Sequence, residues 1–306
     1  MRAVLNDSVS RLATGLSTAP SLQGTNRIEA VRVLLSILGI ALALYIGVLG
    51  LLWLLQAKLV YFPEQPGRTL EATPADIGLP YEEVWLTHDS GDRVHGWFVD
   101  AGSPATLLYL HGNAGNISHR LDLLRLFYEM GISVMIIDYR GYGRSDGAPS
   151  ELNTYHDALL GWHYLVNERD RDPQQLVIFG RSLGGAVAAW LAEQVTPGAL
   201  VLESTFASIP DMARVHYPWV PAALSRIRYD TLSRIDSIDC PILIMHSRED
   251  RDIPFSQAEQ LLAAAGDNAT PVEVQGGHNT THIESGPGYT AALREFFSKA
   301  AITGVY

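Results

Sequence analysis

The sequence predicts an α/β protein, a mostly parallel, twisted sheet with helices on both faces, preceded by one apolar helix near the N-terminus. Three observations carry this expectation. Short, almost wholly apolar runs such as ATLLYLHG (105–112), SVMIIDY (133–139) and QLVIFG (175–180) alternate with amphipathic runs at helical spacing. Continuous apolar strands of this kind belong to parallel sheets covered on both faces. Two strand-like runs, EEVWLT and RVHGWFV, open the pattern and flank a turn-forming stretch, Asp89-Ser-Gly-Asp92, which marks an antiparallel hairpin. Finally, residues 33–55 (VLLSILGIALALYIGVLGLLWLL) contain no charge in 23 positions.

That last run sets the chain's organisation. At about 1.5 Å per residue it is long enough to cross a hydrocarbon core of about 30 Å. It is too long for a typical signal-peptide core, and no small-x-small cleavage site follows it. Trp53, Tyr61 and Phe62 lie near its far end, where an interfacial aromatic belt is expected. The expected organisation is a polar tail over 1–32, a transmembrane helix over 33–55, a connector over 56–80 and the main domain over 81–306. Arg2 and Arg11 tip the count of flanking basic residues toward a cytoplasmic N-terminus, which would put the main domain on the far side.

Charge is divided unevenly. The chain has 22 basic and 33 acidic side chains; residues 1–58 hold five and two of them, leaving 17 and 31 for the rest, a net −14. An acidic body of this kind excludes nucleic acid, and anionic lipid surfaces in general, as ligands of the main domain. Cys240 is the single cysteine, so no internal disulfide is possible, and its place beside an apolar run marks it as a buried small hydrophobe.

After the hairpin the elements follow in order. ATLLYLHG is a strand, ISHRLDLLRLFYEMG a helix closed by glycine, SVMIIDY a strand, and TYHDALLGWHYLVNER a helix with Leu159, Trp162 and Val166 on one face. QLVIFG leads into a glycine- and alanine-rich helix. ALVLEST, PILIMHS and PVEVQ supply the later strands, with SQAEQLLAAAG and YTAALREFFSKA as helices. Residues 205–238 break the rhythm: they sit between two strands and carry several prolines and aromatics, and are expected to form an inserted cap, with a crossover helix after a long irregular lead-in as the alternative.

Ligands of parallel sheets bind at the carboxyl ends of the strands, and there the sequence places reactive groups. Ser182 follows QLVIFG directly and opens a helix in the setting G-R-S-L-G, a match to the nucleophile-elbow pattern. A serine hydroxyl needs a base; His278, in the glycine-flanked loop QGGHNTTHIES, is the candidate, with His282 its competitor. An acid must orient that imidazole, and HSREDRDIPF supplies Asp250, with Asp252 next and Glu203, after the preceding strand, a further candidate. Oxyanion donors are expected from the backbone N–H of Leu183 and of Asn113, with Ala114 as the alternative to Asn113. His111 is expected to stabilise that loop without acid–base work.

HGNAGNISHR, DYRGYGRSDGAPSE, GRSLGGAVA, SREDRDIPF and GGHN occur in this order. Over about residues 80–300 the chain resembles the α/β-hydrolase superfamily, and in particular its membrane-anchored bud-emergence-type branch, related to the α/β-hydrolase-domain-containing serine hydrolases. The resemblance implies an eight-stranded sheet, a Ser182–Asp250–His278 triad, and a structural turn at Asp138–Gly147. It points to a serine hydrolase of carboxylic esters or thioesters, with a small-molecule or lipid-derived acyl substrate. A peptidase using the same triad and a non-enzymatic hydrolase-fold scaffold are the alternatives. Ser182 argues against epoxide or haloalkane hydrolysis, which would favour an aspartate at that position. The sequence holds no metal-ligand cluster and no dinucleotide fingerprint, so no cofactor is expected.

Overall fold

A computed structural model describes residues 22–306; most of the polar tail expected over 1–32 lies outside the described residues. The chain divides into two units, one ending at Leu52 and the other comprising Trp53–Tyr306. Helix α1 (Leu22–Val60) runs beyond the apolar stretch at both ends. Arg27, Glu29, Ala30 and Arg32, all good helix formers, precede the apolar run, and no proline interrupts residues 22–60. Asn26–Val60 is apolar enough to cross a membrane, with a mean hydropathy of 2.5 in an 18-residue window.

The second unit is built on one eight-stranded sheet of order β1-β2-β4-β3-β5-β6-β7-β8. β1 (Glu82–Thr87) and β2 (Arg93–Val99) form the antiparallel hairpin, and β2 pairs antiparallel with β4 (Ser133–Ile137). β3 (Thr106–Leu110), β4, β5 (Leu176–Arg181), β6 (Ala199–Glu203), β7 (Ile242–Ser247) and β8 (Ala269–Val274) are parallel. The eight strands fall on the eight apolar runs.

The strands are continuously apolar because both faces are covered. Along β3, Leu108 and Leu110 pack into the layer that holds α3 (Glu151–His163), α4 (Leu183–Gln194) and α6 (Phe255–Ala265). Leu107 and Tyr109, between them in sequence, pack into the opposite layer with α2 (Leu121–Glu129) and α8 (Pro287–Lys299). Alternation along the strand thus feeds two cores at once. Cys240 is buried among the first layer's side chains, and burial pushes its thiol up to about 12, an inert group.

Residues 205–238 contain one short α-helix, α5 (Ile209–His216), followed by largely irregular chain up to β7. Ser208 caps α5, its hydroxyl accepting from the Asp211 N–H. A further one-turn helix, α7 (Thr281–Glu284), follows the His278 loop.

α4 lies so close to β3 that a Cβ on Gly184 would collide with the carbonyl oxygens of Leu110 and His111. Both oxygens belong to the backbone, which cannot swing away. Gly184→Ala is therefore expected to lower the unfolding free energy by about 3 kcal/mol, measured by chemical denaturation of the detergent-solubilised full-length chain. An unchanged midpoint would show that α4 can shift away from β3.

Candidate active site

β5 ends at Arg181 and α4 begins at Leu183, leaving Ser182 at the turn with φ 54° and ψ −122°. L-residues rarely take positive φ, and strain of this kind belongs to nucleophile elbows. Three hydrogen bonds hold the residue there. Its N–H donates to Glu203 O at 2.9 Å, and its carbonyl accepts from Thr205 Oγ1 at 2.8 Å and from the Gly185 N–H at 2.9 Å. Gly180 keeps the approach open, because a Cβ there would run into Ala188 and the Gly185 backbone on the first turns of α4.

Three acids were candidates to orient the base, and the structure pairs Asp250 with His278. His278 Nδ1 lies 2.7 Å from Asp250 Oδ2. A carboxylate only accepts, so Nδ1 is the donor in this bond, which orients the ring. Asp250 is buried, and its other oxygen accepts from the Asp252 and Ile253 N–H groups at 2.9 and 2.8 Å. Burial opposes its ionisation, but the hydrogen bond and charge of His278 outweigh it and hold the carboxyl below the usual range. Asp252 is exposed and supports Asp250 through its backbone. Glu203 is buried and engaged elsewhere, accepting from Thr281 Oγ1 and Tyr289 OH. Asp250, Asp252 and His278 have donor atoms within 4.8 Å of one another, enough for a small cation, yet the His278–Asp250 hydrogen bond already occupies the imidazole nitrogen that faces them.

His282, four residues from His278, is not brought into this group. Its Nε2 lies 2.6 Å from Asp122 Oδ2 and ties α7 to α2. Among the described residues no hydrogen bond joins Ser182 Oγ to His278; in hydrolases without substrate this contact is often long. What links the two segments is Arg181, a residue sequence reasoning missed. Its Nη2 donates to His278 O at 2.6 Å, and its Nε lies 3.9 Å from Glu203 Oε2. Burial opposes the arginine's charge, and the Glu203 carboxylate more than restores it. The available signal was a charged residue at the end of an otherwise apolar, doubly covered strand.

The loop after β3 lies against the elbow: a Cβ on Gly112 would be 3.4 Å from Ser182 Cβ. The N–H groups of Asn113 and Leu183 have no hydrogen-bond partner among the described residues, as oxyanion donors require. Asn113 is held on three sides. Its carbonyl accepts from the Phe62 N–H and from Tyr142 OH, both at 2.9 Å, and its Nδ2 donates to Val60 O at 3.1 Å. Ala114 pairs with Phe62 in an isolated bridge. The Asp138–Gly147 turn acts structurally here: besides Tyr142, Tyr139 OH donates to His111 O at 3.1 Å.

Residues 102–236 match the family model described as serine aminopeptidase, S33. The chain is 34% identical over 275 residues to the protein bem46 of Schizosaccharomyces pombe, covering 85% of this chain and 91% of that protein. It belongs to the α/β-hydrolase family. This hydrolase is also 30% identical to the lysophosphatidylserine lipase ABHD12 of Macaca fascicularis, covering 86% of this chain and 80% of the lipase. Its fold is similar to that of the Pyrococcus furiosus esterase Pf2001, with a TM-score of 0.66 at 19% identity over 75% of this chain and 94% of the esterase.

His111 is fully buried; burial first, and the nearby Arg120 charge second, push its pKa down to about 3. Its Nδ1 lies 2.7 Å from Gly112 O, so the neutral ring steadies the loop as a donor. The unfolded chain binds a proton here near pH 6.5 and the folded hydrolase does not, so this residue's contribution to stability falls as pH drops from 6.5 toward 3. His111→Asn keeps a donor at the Nδ1 position and has no such titration. Its unfolding free energy is expected to fall less steeply between pH 6 and 4, by about 1.4 kcal/mol per pH unit, in denaturant titrations across that range. Parallel pH profiles would refute the assignment.

Proposed function

We propose that this α/β hydrolase is a membrane-anchored serine hydrolase that cleaves carboxylic esters or thioesters, lipid-derived acyl groups foremost, through an acyl-enzyme on Ser182. The observation that carries the proposal is the 2.7 Å pairing of His278 with the buried Asp250, with the His278 carbonyl bonded to the residue preceding a serine in the elbow conformation. His278 Nε2 takes the Ser182 hydroxyl proton as Oγ attacks the acyl carbon. The negative charge on the former carbonyl oxygen is received by the N–H groups of Asn113 and Leu183 at the start of α4, where the helix dipole favours it. The imidazolium then returns the proton to the departing alkoxide or thiolate. Water, deprotonated by the same nitrogen, releases the acid and regenerates the serine. Asp250 stays ionised and fixes the tautomer throughout.

Likeness to a lysophosphatidylserine lipase supports an acyl ester of a lipid as substrate, and the apolar α1 supports tethering beside a bilayer. The match to a model of serine aminopeptidases favours a second reading, cleavage of an amide by the same groups.

A fluorophosphonate probe is expected to label the full-length protein and to leave Ser182→Ala unlabelled; equal labelling of both would sink the nucleophile. Asp250→Asn should lower kcat by roughly 10³- to 10⁴-fold with little change in KM, because the imidazole loses its tautomer, while Asp252→Asn should stay within about threefold of the parent. Among p-nitrophenyl esters, long acyl chains should be turned over faster than acetate. Exclusive acetate activity would count against lipid substrates, and cleavage of aminoacyl p-nitroanilides alone would establish the peptidase reading.

A further inference from the structure

Residues 214–228, RVHYPWVPAALSRIR, differ chemically from the domain around them. They hold three arginines and a histidine and no acid, within a body whose net charge is −14. The exclusion of anionic lipid drawn from the body's overall charge therefore does not extend to this segment. Every residue from Arg214 to Trp219 is exposed, including three large apolar side chains: Val215 at 43%, Tyr217 at 45% and Trp219 at 50%. Beyond Tyr61, the other exposed large hydrophobic side chains among the described residues are Leu152, Ile283 and Tyr306, each isolated in sequence. Single exposed hydrophobics are ordinary; three within five residues, rimmed by arginine, mark an interaction site.

The segment's attachment indicates what it meets. Gln56 Nε2 donates to Leu224 O, and the Arg226 N–H donates back to Gln56 Oε1, both at 2.7 Å. Arg226 Nη2 donates to Trp53 O at 2.9 Å, and its guanidinium lies 4.2 Å from the centre of the Trp53 ring. Trp53 and Gln56 straddle the point where the uncharged run of α1 ends and polar residues resume. In a helix that crosses a bilayer this turn lies at headgroup level. Exposed tyrosine and tryptophan beside arginines are the side chains such a boundary accommodates, rings among the upper acyl carbons and guanidiniums on phosphates.

We propose that residues 214–228 dock on the anionic surface of the bilayer in which α1 is inserted. The face adjoins the candidate active site, since His216 Nε2 donates to Asp252 O at 2.9 Å, two residues from Asp250. The inference rests on α1 spanning a membrane and not on the acyl-enzyme chemistry.

The test uses the full-length chain, one copy per nanodisc of phosphatidylcholine with about one-third phosphatidylglycerol. Val215→Cys carries an environment-sensitive fluorophore, and Cys240 stays unlabelled because it is buried. The reference is Tyr306→Cys, whose backbone bonds to Met130 at the amino ends of the parallel strands, away from the site. With a nitroxide at acyl carbon 5, the probe at 215 should shift to the blue and lose about half its emission or more, as for a group about 5–10 Å into the boundary. The probe at 306 should be unaffected. Arg214→Gln with Arg228→Gln should remove the dependence of quenching on phosphatidylglycerol. Equal, weak quenching at 215 and 306 in a chain that resists alkaline carbonate extraction overturns the docking face alone; release by carbonate overturns the anchor and the face together. A blue shift without quenching, seen only with two copies per disc, assigns the surface to self-association and overturns the proposal. Ser182→Ala should quench like its parent, so failure of the hydrolase reading leaves this result standing.

Discussion

The conformation of Ser182 is the constraint around which the domain is arranged. A non-glycine residue at φ 54° and ψ −122° is strained by about 1–3 kcal/mol, and persists only where its surroundings leave no alternative. Here the β5 register fixes Arg181 opposite Glu203, the Ser182 N–H is taken by Glu203 O, and its carbonyl is taken twice. On the other side of the turn α4 is pressed against β3, with glycine at the position of closest approach. Parallel pairing, a close-packed helix and small residues together enforce a backbone none would tolerate alone. The hydroxyl is presented at the carboxyl edge of the sheet as a consequence.

The same two residues organise the histidine loop. Arg181 grips the carbonyl of His278, and Glu203 holds Thr281 and Tyr289 further along the chain. Both charges are buried, and each satisfies the other's electrostatics at 3.9 Å while spending its hydrogen bonds on the loop. A buried ion pair is weak evidence of stability, since desolvation offsets most of the attraction. Its contribution here is positional: it ties the end of β5 to the loop that follows β8, across two intervening strands.

Strands were legible because the sheet is covered on both faces, so ATLLYLHG or SVMIIDY carries its own signature. Ser182 was legible for a related reason, a strand, a turn and a helix being contiguous in the chain. Asp250 was harder, because Asp252 and Glu203 occupy equivalent strand ends and only the fold decides which carboxylate meets an imidazole 28 residues on. His278 and His282 present the same problem in miniature: four residues separate them, enough to send one to Asp250 and the other to Asp122. Arg181 escaped notice because its meaning is non-local. An arginine between two glycine-flanked runs looks like a surface residue until its partners from β6 and the His278 loop are in place.

The compact unit begins at Trp53, well before the first strand, and this changes what the segment after the apolar run does. Trp53 and Gln56 hold the 214–228 segment, Val60 and Phe62 hold Asn113, and the carbonyls of Gly67 and Thr69 accept from Asn116. The last turns of α1 from Trp53 and the chain after it as far as Thr69 thus contact the 214–228 segment and both ends of the loop bearing a candidate oxyanion donor. Hydrogen bonds from an asparagine amide to a backbone carbonyl leave little rotational freedom, so the Asn113 N–H direction is set partly by where the helix ends. A flexible tether would need none of these bonds. The connector is a structural part of the site, and the position of the helix terminus is coupled to the geometry on which Ser182 depends.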